Sequence, residues 1–151
     1  MIFFEDIAIG DRHELGRYTF TAQDIKRFAA RYDPQPFHLD EEAAAHSHFG
    51  GLVASGWHTA SIFMKLQARV VAERSADLAR TGPSPGFRDM RWLKPVFAGD
   101  TLTYTNEVVR KRELNSRPQW GIVFSRISAV NQHGDLAFEF EASVFMARRG
   151  T

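Results

Sequence analysis

Residues 52–62 read Leu52-Val53-Ala54-Ser55-Gly56-Trp57-His58-Thr59-Ala60-Ser61-Ile62 and mark the beginning of the longest helix that the sequence predicts. The apolar pattern continues from there to residue 74. A helix over residues 56–74 would be about 28 Å long, at a rise of about 1.5 Å per residue. Carbon-rich side chains occupy two faces of this helix, so we expect neighbouring elements to cover most of its circumference. Such a helix belongs in the core of a protein.

Shorter elements lie on either side of this helix. Before it, the pattern predicts a strand at about residues 13–20 and then a short helix that Thr21 can cap and that ends near residue 32. Asp40 can cap a further short helix. After the long helix the apolar period changes to two residues, which predicts four strands with no helix between them, at about 87–93, 101–108, 122–129 and 136–144. His133-Gly134-Asp135 reads as the hairpin turn between the last two. This order indicates an α+β fold with an antiparallel sheet.

The composition is that of an ordinary globular protein. The 151 residues include 44% hydrophobic and 25% charged residues, and we expect a single domain over residues 1–151. Nineteen basic and eighteen acidic residues leave a net charge of +1, which argues against a general nucleic-acid binder. The chain has no cysteine, no visible signal peptide and no apolar run of the roughly 20 residues that a membrane span needs. A cytoplasmic location without membrane or nucleic-acid partners is therefore the expectation.

The segment Asp33-Pro34-Gln35-Pro36-Phe37-His38 places a carboxylate and an imidazole five positions apart. Each proline fixes its own φ and moves the residue before it away from the helical region, so the segment is a poor helix and a poor central strand. An acid and a base held on such a rigid connection can act together on one water molecule. On these six residues alone, a turn at Asp33 with a capping or packed histidine is an equally good interpretation.

The beginning of the long helix is the second candidate for chemistry. Ser55 can cap the helix, and Gly56 allows another group to approach its backbone closely. The first N–H groups of a helix have no partner within it and carry a partial positive charge, which stabilises negative charge on a ligand oxygen. A plain helix cap remains the alternative for this feature.

Together these segments resemble the MaoC-like enoyl-CoA hydratases, also called (R)-specific hydratases. The family motif has Asp, any residue, Asn, Pro, an apolar residue, His, an apolar residue and an acid. Residues 33–40 match it, with Gln35 in place of the usual Asn. Phe49 and the run Val53-Ala54-Ser55-Gly56 follow at the family's spacing, and Ser55 stands where many members have His or Pro.

A third segment extends the resemblance to nearly the whole chain. Residues 93–102 read Leu93-Lys94-Pro95-Val96-Phe97-Ala98-Gly99-Asp100-Thr101-Leu102, which is similar to the family's Pro-Val-x-x-Gly-Asp turn between strands. The similarity runs from about residue 4 to residue 146. It implies the hotdog fold, in which an antiparallel sheet wraps around one long helix. It also implies a homodimer, or a multiple of one, with each active site between two subunits.

The resemblance further implies an activity and a set of site residues. The family hydrates a trans-2-enoyl thioester of CoA to the (R)-3-hydroxyacyl thioester, or dehydrates it in reverse, as part of fatty acid metabolism. Asp33 and His38 would be the catalytic pair, and the Gly56 N–H would bind the oxyanion. The residues considered for the substrate pocket are Phe49, Ser55, Trp57, His58 and Phe63, although a packed or capping role is the better interpretation of His58. No cofactor is expected, since the acyl-CoA thioester is its own electron sink.

Other functions remain open at this stage. A hotdog acyl-CoA thioesterase could use Asp33 to activate water against the carbonyl carbon, and a non-catalytic acyl-CoA-binding subunit could have the same fold. The presence of both Asp33 and His38 favours the hydratase. A metal site is not expected, because His46 and His48, two residues apart, would point to different sides of a helix and no second ligand pair accompanies them.

Overall fold

The computed structural model describes residues 1–150, so Thr151, the last residue of the predicted domain, lies outside the described residues. After a 3₁₀ turn at Phe4–Asp6, the elements follow in the order β1 Arg12–Thr19, α1 Ala22–Tyr32, α2 Pro36–Leu39, α3 Glu41–Ala45, α4 Gly56–Glu73, β2 Phe87–Trp92, β3 Thr101–Glu113, β4 Trp120–Val130 and β5 Leu136–Ala147. The predicted strands and helices are all present, and the predicted α+β class is confirmed.

The strands form one five-stranded sheet in the order β1-β3-β4-β5-β2. Every neighbouring pair is antiparallel, so β1 and β2 are the two edges. The hairpin between β4 and β5 turns at the predicted place: the side chain of Asn131 accepts hydrogen bonds from the N–H groups of His133 and Asp135. Gly134 between them has a φ of 81°, a conformation that favours glycine.

The long helix α4 packs against this sheet. Its buried side chains include Ile62, Phe63 and Leu66, which belong to the main hydrophobic core. On the interior strand β3, the hydroxyl of the fully buried Tyr104 donates a hydrogen bond to the carbonyl oxygen of Thr59 at 2.9 Å, which links the first turn of α4 to the sheet. A sheet wrapped around one long helix is the hotdog arrangement, as the resemblance implied.

The cover of α4 is less complete than the sequence predicts. Trp57 and Met64 on this helix are 55% and 56% exposed, and Phe87 on the edge strand β2 is 59% exposed. The prediction that most of the circumference is covered is wrong for a single chain. An apolar pattern shows that a face prefers burial, but it does not show whether the same chain or another molecule provides the cover.

Three short helices connect β1 to α4 and determine where the candidate site lies. Thr21 caps α1 and Asp40 caps α3 through side-chain bonds to backbone N–H groups, as predicted. The helix α2, in contrast, occupies part of the segment predicted to be a poor helix. Its first residue is Pro36, and proline is tolerated at the first helical position because its missing N–H would have no helical partner there. This single turn positions His38.

Within residues 1–150, each helix is too short or too polar to cross a membrane.

Candidate active site

Asp33 and His38 lie in contact. Asp33 is the capping residue that follows α1, and the N–H of Gln35 donates to its carbonyl oxygen at 2.8 Å, so the chain turns back before α2 begins. One helical turn later the imidazole faces the carboxylate, with 3.3 Å between His38 Nε2 and Asp33 Oδ2. The two prolines around Gln35 restrict this connection to few conformations. The structure therefore brings together the two residues that the sequence singled out.

The orientation of the His38 ring is fixed from its other side. Nδ1 lies 2.6 Å from the carbonyl oxygen of Val53, and the side chain is buried. A carbonyl oxygen only accepts, so Nδ1 carries the proton, and a neutral His38 presents a bare lone pair on Nε2 towards Asp33. Two acceptors cannot bond directly to each other. Either a proton on Nε2 or a water molecule with two hydrogens to donate would satisfy both, and this is an arrangement suited to moving a proton.

The Asp33 carboxylate receives two further hydrogen bonds. Ser55 Oγ donates to Oδ2 at 2.6 Å, and Gln35 Nε2 donates to Oδ1 at 2.7 Å. Partial burial raises the pKa of Asp33, but the bonds from Ser55 and Gln35 and the charge of His38 outweigh it and hold this pKa below its ordinary value. The group is therefore ionised at neutral pH and can accept a proton.

Ser55 connects this pair to the beginning of α4. Its hydroxyl accepts from the Trp57 N–H at 3.3 Å, which caps the helix, while it donates its own hydrogen to Asp33. The side chain is fully buried. The sequence predicted Ser55 as a cap and as part of the pocket, but its bond to Asp33 was not foreseen. A hydroxyl that accepts a bond as a helix cap still has its own hydrogen to donate, and this could have indicated a bond from Ser55 to a nearby acceptor.

Gly56 is covered by a residue that the sequence analysis missed. The Trp92 indole of β2 lies against it, and Trp92 Nε1 donates to the Gly56 carbonyl oxygen at 2.9 Å. A Cβ at position 56 would lie 2.5 Å from Trp92 Nε1, so this close approach requires glycine. The Gly56 N–H is at the first position of α4, where a helix provides no partner for it. Nothing in the local sequence around Gly56 indicates Trp92, which comes from the edge strand.

The remaining predicted pocket residues divide into two groups. Phe49 packs edge-on against Phe37, next to His38 in the chain, with ring centres 5.2 Å apart. His58 lies elsewhere: it is stacked on Phe28 at 4.7 Å and packed against Phe20 at 5.0 Å. Burial lowers the pKa of His58 to about 4. Its position is that of a core histidine, between α4, α1 and β1.

Trp57 and Phe63 line a cavity of about 740 Å³ between α4 and the sheet. The other side chains of this wall include Ala60 and Met64 from α4 and Phe140 from β5, and the lining is mostly apolar. The cavity does not include Asp33, His38 or Gly56. It reaches the residue that follows Gly56, so its near end lies beside the beginning of α4.

The histidines that the sequence analysis considered for a metal site are His46 and His48. His46 Nδ1 lies 2.8 Å from the Glu42 carbonyl oxygen of its own helix. Among residues 1–150, no group of three or more His, Cys, Asp or Glu side chains is arranged to hold a metal ion.

Comparisons with known proteins bear on the family and the fold of this chain. The family model described as "MaoC like domain" matches residues 7–123. The uncharacterized protein YdeM of Bacillus subtilis is 33% identical over 144 residues, which cover 95% of this chain and 98% of YdeM. Two solved structures are similar over most of their length. The MaoC-like dehydratase from Rhodospirillum rubrum has 41% identity, covers 100% of both chains and gives a TM-score of 0.86. The (R)-hydratase from A. caviae involved in PHA biosynthesis has 27% identity, with 93% of this chain and 97% of that chain covered and a TM-score of 0.73.

The model match covers far more than half of the chain, and it includes α1, α2 and the beginning of α4, where Asp33, His38 and Ser55 meet. The chain belongs to the family of MaoC-like domains.

Proposed function

We propose that the protein hydrates a trans-2-enoyl thioester of CoA to the (R)-3-hydroxyacyl thioester, or catalyses the reverse dehydration. The observation that carries this proposal is the contact between Asp33 and His38, with the His38 tautomer set by Val53. The similarity to the A. caviae (R)-hydratase supports the same class of reaction.

The contacts suit each step of this reaction. Asp33 is ionised and takes a proton from the water that attacks C3. His38 accepts a hydrogen bond from the same water through the lone pair of Nε2, and the proton that Asp33 has taken up is passed on to C2. The addition places negative charge on the thioester oxygen, and the Gly56 N–H at the positive end of α4 stabilises it. The conjugated thioester accepts the electrons, so the step needs no cofactor.

The acyl chain would extend from this point into the apolar cavity. The cavity reaches Trp57, next to the proposed oxyanion donor, and continues along Phe63 and Met64. On a single chain this cavity of about 740 Å³ is open, because Trp57, Met64 and Phe87 of its wall are more than half exposed. We expect medium-chain enoyl thioesters to be better substrates than crotonyl-CoA, with the second copy proposed below closing the open side of the cavity.

A second copy of the chain would complete the molecule. Trp57 and Met64 on α4 and Phe87 on β2 leave apolar surface exposed, and β2 has one unpaired edge. An unpaired edge beside exposed apolar side chains favours association. We propose a homodimer in which the β2 edges and the outer faces of α4 contribute to the interface.

The test is turnover by the purified wild-type protein. Loss of the enoyl absorbance is followed with crotonyl-CoA and with 2-octenoyl-CoA, while a thiol reagent reports any free CoA. Loss of absorbance without thiol release is the expected result. Thiol release would instead support the thioesterase, and acyl-CoA binding without either signal would support the non-catalytic subunit.

A further inference from the structure

The Asp33 carboxylate has a defined number of places left for a new hydrogen bond. An ionised carboxylate offers about four acceptor sites, two on each oxygen. Oδ2 accepts from Ser55, and its second site faces the bare Nε2 of His38, where one water molecule can donate to both atoms. Oδ1 accepts from Gln35 alone. The open site of Oδ2 beside Nε2 is therefore the place where one water molecule meets both groups, while Gln35 holds the opposite oxygen.

We propose that Gln35 is a positioning residue, whose amide holds Asp33 Oδ1 and thereby orients Oδ2 towards His38 and the water molecule that the two catalytic groups share. The inference rests on the proposed function and concerns the same site. The amide does not exchange a proton with substrate or water. The amide acts through Asp33, and the backbone of Gln35 is held in a fixed position relative to that carboxylate.

The backbone around Gln35 explains why its side chain can orient the Asp33 carboxylate. Its N–H donates to the Asp33 carbonyl oxygen at 2.8 Å, and its own carbonyl oxygen accepts from the His38 N–H at 3.0 Å. Gln35 is thus tied to both members of the pair, and Pro36 keeps its backbone extended. A carboxylate only accepts, so the atom that faces Oδ1 is the amide nitrogen. Little further ordering is needed to form the bond.

The bond has a predictable effect on the chemistry. A donor to the ionised form of a carboxylate favours that form, and this contributes to the lowered pKa of Asp33. Gln35 therefore keeps the Asp33 carboxylate ionised in more acidic solution. The same hydrogen bond weakens the affinity of this carboxylate for the proton that it must accept. In the described part of the chain, the titratable side chain in contact with Asp33 is His38 of α2, while Ser55 and Gln35 are neutral. Gln35 itself is exposed, so it can be replaced without opening the core.

Two substitutions at position 35 have opposite expected effects. Gln35→Met keeps the length of the side chain but removes the donor, so Asp33 should titrate at higher pH than in the wild type. Gln35→Lys brings a positive charge within reach of Oδ1, so Asp33 should titrate at lower pH. Gln23→Met is the matched control, because Gln23 is an exposed glutamine on α1 with no bond to the site. General damage to the structure would not move the two variants in opposite directions.

The experiment has two readouts on the full-length protein. The first is a carbon NMR titration of aspartate carboxyl groups, in which the Asp33 signal is identified by its loss in Asp33→Asn. The second is the acidic limb of kcat/KM for enoyl-CoA hydration. We expect the midpoint pH of the Asp33 titration and the midpoint pH of the kcat/KM limb to rise in Gln35→Met and to fall in Gln35→Lys. Both should be unchanged in Gln23→Met. Above the limb, kcat should fall by less than about tenfold, since the amide transfers no proton and full loss of an acid–base group costs more.

The outcomes separate this inference from the proposed function. If Gln35→Met leaves the Asp33 titration where it is in the wild type, or if both variants move it in the same direction, the role of Gln35 is overturned. If the wild type does not hydrate enoyl-CoA, the proposed function fails. The NMR titration does not depend on turnover and would still decide whether Gln35 controls the protonation of Asp33.

Discussion

The buried His58 should make the stability of the protein depend on pH between the ordinary pKa of 6.5 and the lowered pKa of about 4. Its side chain is 5% exposed, it stacks on Phe28, and its Nδ1 has no hydrogen-bond partner among the described residues. Burial lowers its pKa from 6.5 to about 4, and the Asp24 carboxylate opposes this only in part. We predict that His58→Phe, which keeps an aromatic ring in the stack, removes this dependence.

The direction and the size of the change in unfolding free energy follow from proton linkage. Above pH 6.5 His58 is neutral in both the folded and unfolded states, and its contribution to stability is complete. As the pH falls towards 4, the unfolded chain takes up a proton that the folded protein refuses, so stability is lost. From pH 7 to pH 5 the loss of unfolding free energy is about 2 kcal/mol. Carboxyl groups with lowered pKa values, such as Glu41 and Asp135, lose their contributions only below their ordinary values of 4.5 and 3.8.

The assay is urea unfolding followed by circular dichroism at pH 7 and pH 5, at one protein concentration. The difference between the two pH values should be about 2 kcal/mol smaller in His58→Phe than in the wild type. His133→Phe, which removes a histidine from the exposed hairpin turn, is the control and should behave like the wild type. Equal pH dependence in the wild type and His58→Phe would refute the argument from burial.

Two further predictions concern the beginning of α4 and the assembly. Gly56→Ala should lower the free energy of unfolding, measured in urea, by about 1–3 kcal/mol, because the new methyl group overpacks against Trp92. In a Trp92→Ala background, the same substitution should cost less. A Gly56→Ala protein as stable as the wild type would contradict the close approach. Sedimentation at micromolar concentration should show a dimer, and we expect its interface to bury more than about 1,000 Å² in total. Phe87→Lys should shift the equilibrium towards the monomer. A monomeric wild type would contradict the proposed interface.

Local chemistry made much of the fold predictable. The caps Thr21, Asp40 and Ser55 each bond to a backbone N–H two or three residues ahead, so the signal and its partner lie in the same short segment. The strands after α4 follow from the alternation of side chains. The one-turn helix at Pro36 was missed because two prolines in three positions suggest an irregular segment, although the first position of a helix accepts proline.

The contacts that complete the candidate site could not be read from the sequence in the same way. Ser55 and Asp33 are 22 residues apart, and Trp92 and Gly56 are 36 residues apart. Such pairs depend on how the sheet and α4 pack together, which no local pattern records. The resemblance to the family indicated Asp33, His38 and Gly56, and Gln35 has the same amide group as the usual Asn on a side chain that is one methylene longer.

The most direct measurement of the central claim is the rate of enoyl-CoA hydration by Asp33→Asn beside the wild type. Asparagine keeps the shape of the side chain and can still accept hydrogen bonds, so a turn or capping role would survive, but it cannot take a proton. The account predicts that the rate falls by a factor of about 10²–10⁴, with a far-ultraviolet circular dichroism spectrum like that of the wild type. A wild type that hydrates enoyl-CoA and an Asp33→Asn protein that matches its rate would contradict the account.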